Sequence, residues 1–287
     1  MISLFALLAA AIDGAADFLG GTVARRASTL AAVIATQGAG LVLLLFGTPL
    51  MLGATVTQSD IAFGALAGLT GSVGVGLLYR GLAMGPMSVV APITAVCAVV
   101  IPLLAGLLFG EHLTPWAALG VALAIAAVVL LGQDAPDNSP AHEAPRSAAH
   151  VALAVRIALV SGVAIGGFFV SLAHTKAPAG LWPLAISRSV SITLFLTTAL
   201  LRREPWRIPA VAIATALGCG ALDMIANALY LAAVRQGQLS LVATLASLYP
   251  ASTVLLARVV LGERLGQWQQ VGVVAAVAAI VLIVANS

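Results

Sequence analysis

Charge is scarce in this sequence. Only 8% of its 287 residues are Asp, Glu, Lys or Arg while 61% are hydrophobic, whereas a soluble domain has about a quarter of its residues charged. That composition excludes a water-soluble fold and places the chain in a lipid bilayer. Cysteine is nearly absent, and Cys97 and Cys219 both fall inside apolar runs, which rules out a disulfide framework or a zinc spacing and leaves both as packing residues. The net charge of +3 comes from scattered residues, with no Lys/Arg run and no aromatic-basic patch, which argues against nucleic-acid binding. His112, His142, His150 and His174 all lie in or beside loops, without the H-E-x-x-H spacing or a paired His/Asp pattern. Neither a metal nor a cofactor is expected.

Long apolar runs are abundant. A membrane-crossing helix needs roughly 20 apolar residues, so ten of them use about 200 positions and leave about 90 for connections and ends. The runs lie at residues 2–22, 30–52, 61–82, 87–109, 115–132, 151–173, 181–201, 209–233, 239–261 and 267–285. A closed barrel would show alternating segments of about ten residues instead, so the spans are helices. The first run has no basic leader and contains Asp13 and Asp17, which is unlike a signal peptide. Residues 133–150 (QDAPDNSPAHEAPRSAAH) form the single long polar stretch and read as a solvated linker. Glycines and prolines inside the runs, such as Gly71, Gly74, Pro102 and Pro250, suit membrane helices, where small residues permit close packing and proline breaks a helix beside a cavity.

The two sides of the linker repeat one another. Gly110, Glu111, Leu113, Trp116, Gly120 and Val121 fall on Gly262, Glu263, Leu265, Trp268, Gly272 and Val273 at a single shift, and Gly85 and Ser88 fall on Gly237 and Ser240. Apolar composition does not align Gly, Glu and Trp by accident. Two five-helix repeats follow, at residues 1–132 and 151–287, and an odd number of spans per repeat forces the second to enter the membrane inverted. The fold class is therefore an all-α polytopic membrane protein of ten transmembrane helices in two inverted repeats, an architecture that supports alternating access around a midplane site.

The segments LFGEHL and VLGERL, each ending the fourth helix of a half, together with GAADFLGG followed by ARRAS in the first helix, resemble the ten-helix EamA-type branch of the drug/metabolite transporter superfamily. The resemblance covers almost the whole chain. It implies secondary transport, usually export, of amino acids, other small metabolites or drugs, driven by protons or exchange. It further implies a cavity lined by the first four helices of each half, and a bacterial inner-membrane location. No enzyme is expected, since G-x-S-x-G is absent and no buried histidine serves Ser72, Ser161 or Ser187. A flippase for a lipid or lipid-linked sugar is the alternative. The expected partners are the bilayer, a small-molecule substrate and protons, with the chain a monomer or a homodimer.

A charge within a span costs roughly 2.5–3.5 kcal/mol even on insertion scales, so it needs a partner or a wet cavity. Asp13 and Asp17 stand one turn apart on the first helix, Asp223 and Asn227 one turn apart on the eighth, and Arg188 partway along the seventh. These are the candidate substrate or proton residues. Gln37, which falls opposite Arg188 under the repeat shift with a slip of one residue, and Tyr79, Tyr230 and Tyr249, each with an apolar ring and a polar tip, complete the set. Glu111 and Glu263 stand just before the fifth and tenth helices, where a carboxylate is expected to cap the helix N-terminus. Arg80, Arg235, Arg258 and Arg264 lie near helix ends and are expected to snorkel. Arg25, Arg26, Arg146, Arg202, Arg203 and Arg207 follow the first, fifth and seventh helices, whereas only Lys176 and Arg235 follow even-numbered ones. The positive-inside rule then puts both termini outside the cytoplasm, whereas the resemblance more commonly implies cytoplasmic termini.

Overall fold

The computed structural model describes residues 1–24, 26–47, 51–84, 87–132, 148–204, 207–261 and 266–286. These form α1 (Ile2–Ala24), α2 (Thr29–Phe46), α3 (Gln58–Met84), α4 (Met87–Leu108), α5 (Pro115–Leu131), α6 (Ala148–Ala173), α7 (Trp182–Arg202), α8 (Ala210–Val234), α9 (Leu239–Ala246), α10 (Tyr249–Leu261) and α11 (Gln267–Val284). Eight described stretches are long and apolar enough to cross a bilayer, and Ile93–Leu108 and Pro115–Leu131 are shorter apolar helices.

Local chemistry sets several of the boundaries. Ser28 Oγ accepts from Ala31 N at 3.2 Å and caps α2, and Thr114 Oγ1 accepts from Ala117 N at 3.2 Å and caps α5. Pro115 and Pro183 occupy the first turns of α5 and α7, where a missing N–H is harmless. Two boundaries differ from the sequence reading. Helix α6 begins at Ala148, inside the expected linker, because Ala148 and Ala149 are strong helix formers. The ninth span is two helices, α9 and α10, separated at Ser247 and Leu248. Pro250 lacks the N–H that would continue the α9 ladder, so the helix ends and restarts there.

The helices pack as a set that maps onto itself when the two halves are exchanged. Helix α3 lies against α6 and α7 while α1 and α2 lie against α8, and α4 packs on α6 as α1 packs on α9 and α10. The fifth helices pair with each other: a Cβ at Gly120 would stand 2.8 Å from Ile283 Cγ1, and one at Gly272 would stand 3.0 Å from Leu131 N. Each glycine, near the start of its own helix, thus admits the C-terminal end of the other, and α5 and α11 run antiparallel. The same device lets α3 approach α7, where a Cβ on Gly68 would lie 2.5 Å from Ser187 O. The interior is built from small side chains such as Ala117, Ala124, Ala127, Ala276 and Ala279, while Leu45, Phe46, Val211 and Val259 point outward. Outward-facing apolar side chains are in their preferred solvent when that solvent is lipid.

Candidate functional site

The two halves enclose a cavity of about 230 Å³ lined by α1, α2, α3, α4, α6, α7, α8 and the break between α9 and α10. Neither α5 nor α11 contributes. The lining runs from Ala67 and Tyr230 to Leu78 and Asp17, which is toward the end of the bundle where α1 finishes and α2 begins. At the opposite end, polar contacts tie connections together. Asp60, fully buried, accepts from Thr57 N at 2.9 Å, Thr57 Oγ1 at 2.6 Å and Lys176 N at 2.7 Å. Arg235 donates to Gly180 O at 2.8 Å and Thr175 Oγ1 at 3.0 Å. Glu111 accepts from Leu239 N at 2.5 Å, from Ser240 N at 2.9 Å and from Ser240 Oγ.

Two expectations are corrected here. Glu111 caps α9 of the opposite half, and its neighbour α5 is capped by Thr114. The carboxylate stands beyond α4 in a tight connection, so it projects across to the adjacent helix end. Arg235 is half-buried and bonded to Gly180 and Thr175, with no need to snorkel. Glu263, Arg264 and the Tyr79 side chain lie outside the described residues.

The other candidates from the sequence, Asp13, Asp17, Gln37, Arg188, Asp223, Asn227, Tyr230 and Tyr249, all line the cavity. Arg188, 8% exposed, is the hub. Its Nη1 donates to Gln37 Oε1 and its Nη2 pairs with Asp223 Oδ2. Asn227 Nδ2 in turn donates to Asp223 O at 2.7 Å and Oδ1 at 3.1 Å. One chain of hydrogen bonds therefore crosses α2, α7 and α8, and the Gln37–Arg188 link joins positions that are equivalent in the repeat with a slip of one residue.

Asp13 and Asp17 behave differently. Asp13 is half-buried and Asp17 exposed along the wall, and neither accepts a hydrogen bond or forms an ion pair among the described residues. Tyr230 is buried, its hydroxyl donating to Phe169 O at 3.2 Å and its ring 4.8 Å from that of Phe169. It forms the cavity floor. Tyr249 enters at the helix break, its hydroxyl unbonded among the described residues.

Sequence reasoning missed several lining residues. Ser72 Oγ donates to Ser191 Oγ at 2.8 Å and to Gly68 O at 2.6 Å, tying α3 to α7. Ser187, Phe168 and Phe169 also face the cavity. Ser187 and Ser191 flank Arg188 on one helical face, at i, i+4 from each other, and that spacing was the available signal. Phe168 and Phe169 left none, because phenylalanine is ordinary in a membrane helix.

The sequence profile of the EamA-like transporter family matches residues 1–133 and 152–285. No curated protein matches the chain by sequence. A solved structure, titled only as a crystal structure of protein, superposes with a TM-score of 0.75 over 100% of this chain and 99% of that one, at 15% identity. Likeness at that identity shows a shared fold. The profile covers nearly every residue and does so in two blocks that fall on either side of the polar linker. This chain is thus an integral, multi-pass membrane protein that belongs to the EamA-like transporter family.

Proposed function

We propose that the chain is a secondary active transporter, exporting small metabolites, amino acids or drugs across a bacterial inner membrane by alternating access, with proton coupling. One observation supports this above the others: the cavity lies between two exchange-related halves, with a layer of polar contacts closing one end and the lining running toward the other. Rocking the 1–132 repeat against the 151–287 repeat would break the Glu111, Asp60 and Arg235 contacts and expose the same residues to the opposite side. Asp13 is the group proposed to load and release a proton. The charged or titratable groups facing it are Asp17 on its own helix, Asp223 and Cys219 from α8, Tyr249 from α10 and Arg188 across the cavity.

Reconstituted vesicles test the reading. Saturable uptake of a soluble solute that responds to a pH gradient is expected, and Asp13→Asn should abolish the gradient response in a protein that still elutes as a single folded species. Scrambling of a lipid reporter without solute uptake would replace the transporter with the flippase. Normal gradient-driven uptake by Asp13→Asn would remove the proton role.

A further inference from the structure

The charge inventory of the cavity does not balance. Its lining contains three carboxylates, Asp13, Asp17 and Asp223, against one cation, Arg188. Arg188 gives one N–H of each terminal nitrogen, to Gln37 and to Asp223. Its charge is therefore matched by Asp223, which leaves the cavity with a net negative balance. What remains is a pair of carboxylates, Asp13 and Asp17, one helical turn apart, which accept no hydrogen bond and form no ion pair among the described residues, Arg188 standing across the cavity in its pair with Asp223. A second and independent polar group directed at the cavity is Ser187. Its residue is 4% exposed, it borders the cavity beside Arg188, and its hydroxyl makes no hydrogen bond among the described residues. That oxygen is not one of the fully buried, unpartnered atoms, so it opens onto the cavity, where water or a ligand can bond to it.

The rest of the wall is apolar and aromatic. Phe168 and Phe169 stand 5.4 Å apart at their centroids in an edge-to-face pair, and Phe169 leans on Tyr230. A dry cavity of about 150 Å³ admits benzene, so one of about 230 Å³ admits a single ring with a short polar tail.

We propose that the occupant is a compact organic cation: a protonated amine whose ammonium sits between Asp13 and Asp17, and whose apolar body lies against Phe168 and Phe169. An anion would meet uncompensated negative charge. A zwitterion would present its own carboxylate to the same field, with the one cation already paired to Asp223. Neutral rings gain the aromatic wall but leave both carboxylates unpaired, and an ammonium ion in a low-dielectric site is attracted far more strongly than it would be in water. The assignment rests on this cavity being the transport site, and it narrows what that site accepts.

Four ligands of similar shape separate the classes: phenethylamine, phenylalanine, hydrocinnamate and phenethyl alcohol. They are titrated into the purified full-length protein in detergent, with thermal unfolding as the readout, since a ligand that binds the folded state raises its melting temperature. Phenethylamine alone is expected to stabilise. Asp13→Asn and Asp17→Asn are each expected to weaken its binding by roughly tenfold or more, the effect of removing one close charge in a partly wet cavity. Stabilisation by phenylalanine or hydrocinnamate equal to or greater than that by phenethylamine overturns the proposal, as does no response to phenethylamine. The ligand series uses the unaltered protein, so it decides the matter even where an Asn variant fails to fold. Uptake of the labelled ligands into vesicles separates this proposal from the transporter reading. Phenethylamine that binds but is not moved refutes transport and leaves the cation site standing, whereas phenylalanine that is moved without any amine binding does the reverse.

Discussion

At the scale of single residues, the costliest side chains were the legible ones. A carboxylate or guanidinium in an apolar run demands a partner or water, and that alone singles out Asp13, Asp17, Arg188 and Asp223, all of which the fold gathers around one cavity. Arg188 and Asp223 answer the demand by pairing. Serine leaves no comparable mark, because in a helix it can bond to the carbonyl four residues back, as Ser72 does to Gly68, and so costs little wherever it falls. The Arg188 pair gives a direct test. Arg188→Gln strips Asp223 of its cation, and removing one partner of a buried pair costs about 3–5 kcal/mol. The Asp223 side chain is 30% exposed, so solvent screening brings the expected loss to about 1–3 kcal/mol. Arg188→Gln combined with Asp223→Asn should recover at least half of it, because the unpaired charge is then gone. Thermal unfolding of the four proteins in detergent closes the cycle. Equal instability of the single and double variants would show that the pairing is not what holds α7 to α8.

At the scale of elements, the spans were legible from hydrophobic runs, and their interruptions were not. Several prolines lie inside those runs, yet Pro102 sits within α4 and Pro183 in the first turn of α7, while Pro250 divides the ninth span. Residue type alone does not distinguish these cases, since what matters is whether the freed carbonyls reach another partner. Capping misled for a similar reason. A carboxylate beside a helix start suggests a local cap, but which helix end it reaches depends on packing between the halves, and Glu111 reaches α9. Leu239 is 6% exposed and Ser240 not at all, so Glu111→Ala leaves two buried N–H groups without an acceptor, at about 1–3 kcal/mol each. We expect a loss of about 2–4 kcal/mol on thermal unfolding, with Glu111→Gln recovering part of it through its remaining carbonyl acceptor. An unchanged melting temperature for Glu111→Ala would mean that water replaces the carboxylate and that α9 has no need of the bridge.

At the scale of the whole molecule, Gly, Glu and Trp recur at one spacing in the sequence, and of these residues the packing gives the glycines Gly120 and Gly272 a place: they admit the antiparallel fifth helices. Which end of the bundle faces the cytoplasm has to come from charge. The α2–α3 and α6–α7 connections meet on one face, where Thr55 N donates to Pro178 O at 2.9 Å and Lys176 N to Asp60, and this is also the face where α1 begins. Arg26, Arg202, Arg203 and Arg207 gather at the opposite end, with Arg80 and Arg258 near it. Basic residues near helix ends are retained on the cytoplasmic side, so the arginine end, toward which the cavity lining runs, is expected to face the cytoplasm. Asp60 is a poor probe of the other face, being fully buried and bonded to two connections. Gln58 and Ser28 are both exposed and lie at opposite ends. In a background with Cys97 and Cys219 replaced, an impermeant thiol reagent applied to whole cells should label Gln58→Cys and spare Ser28→Cys. Labelling of Ser28→Cys alone would invert the assignment. It would put the arginines outside, and the end bound by Glu111 and Asp60 would then be the cytoplasmic one.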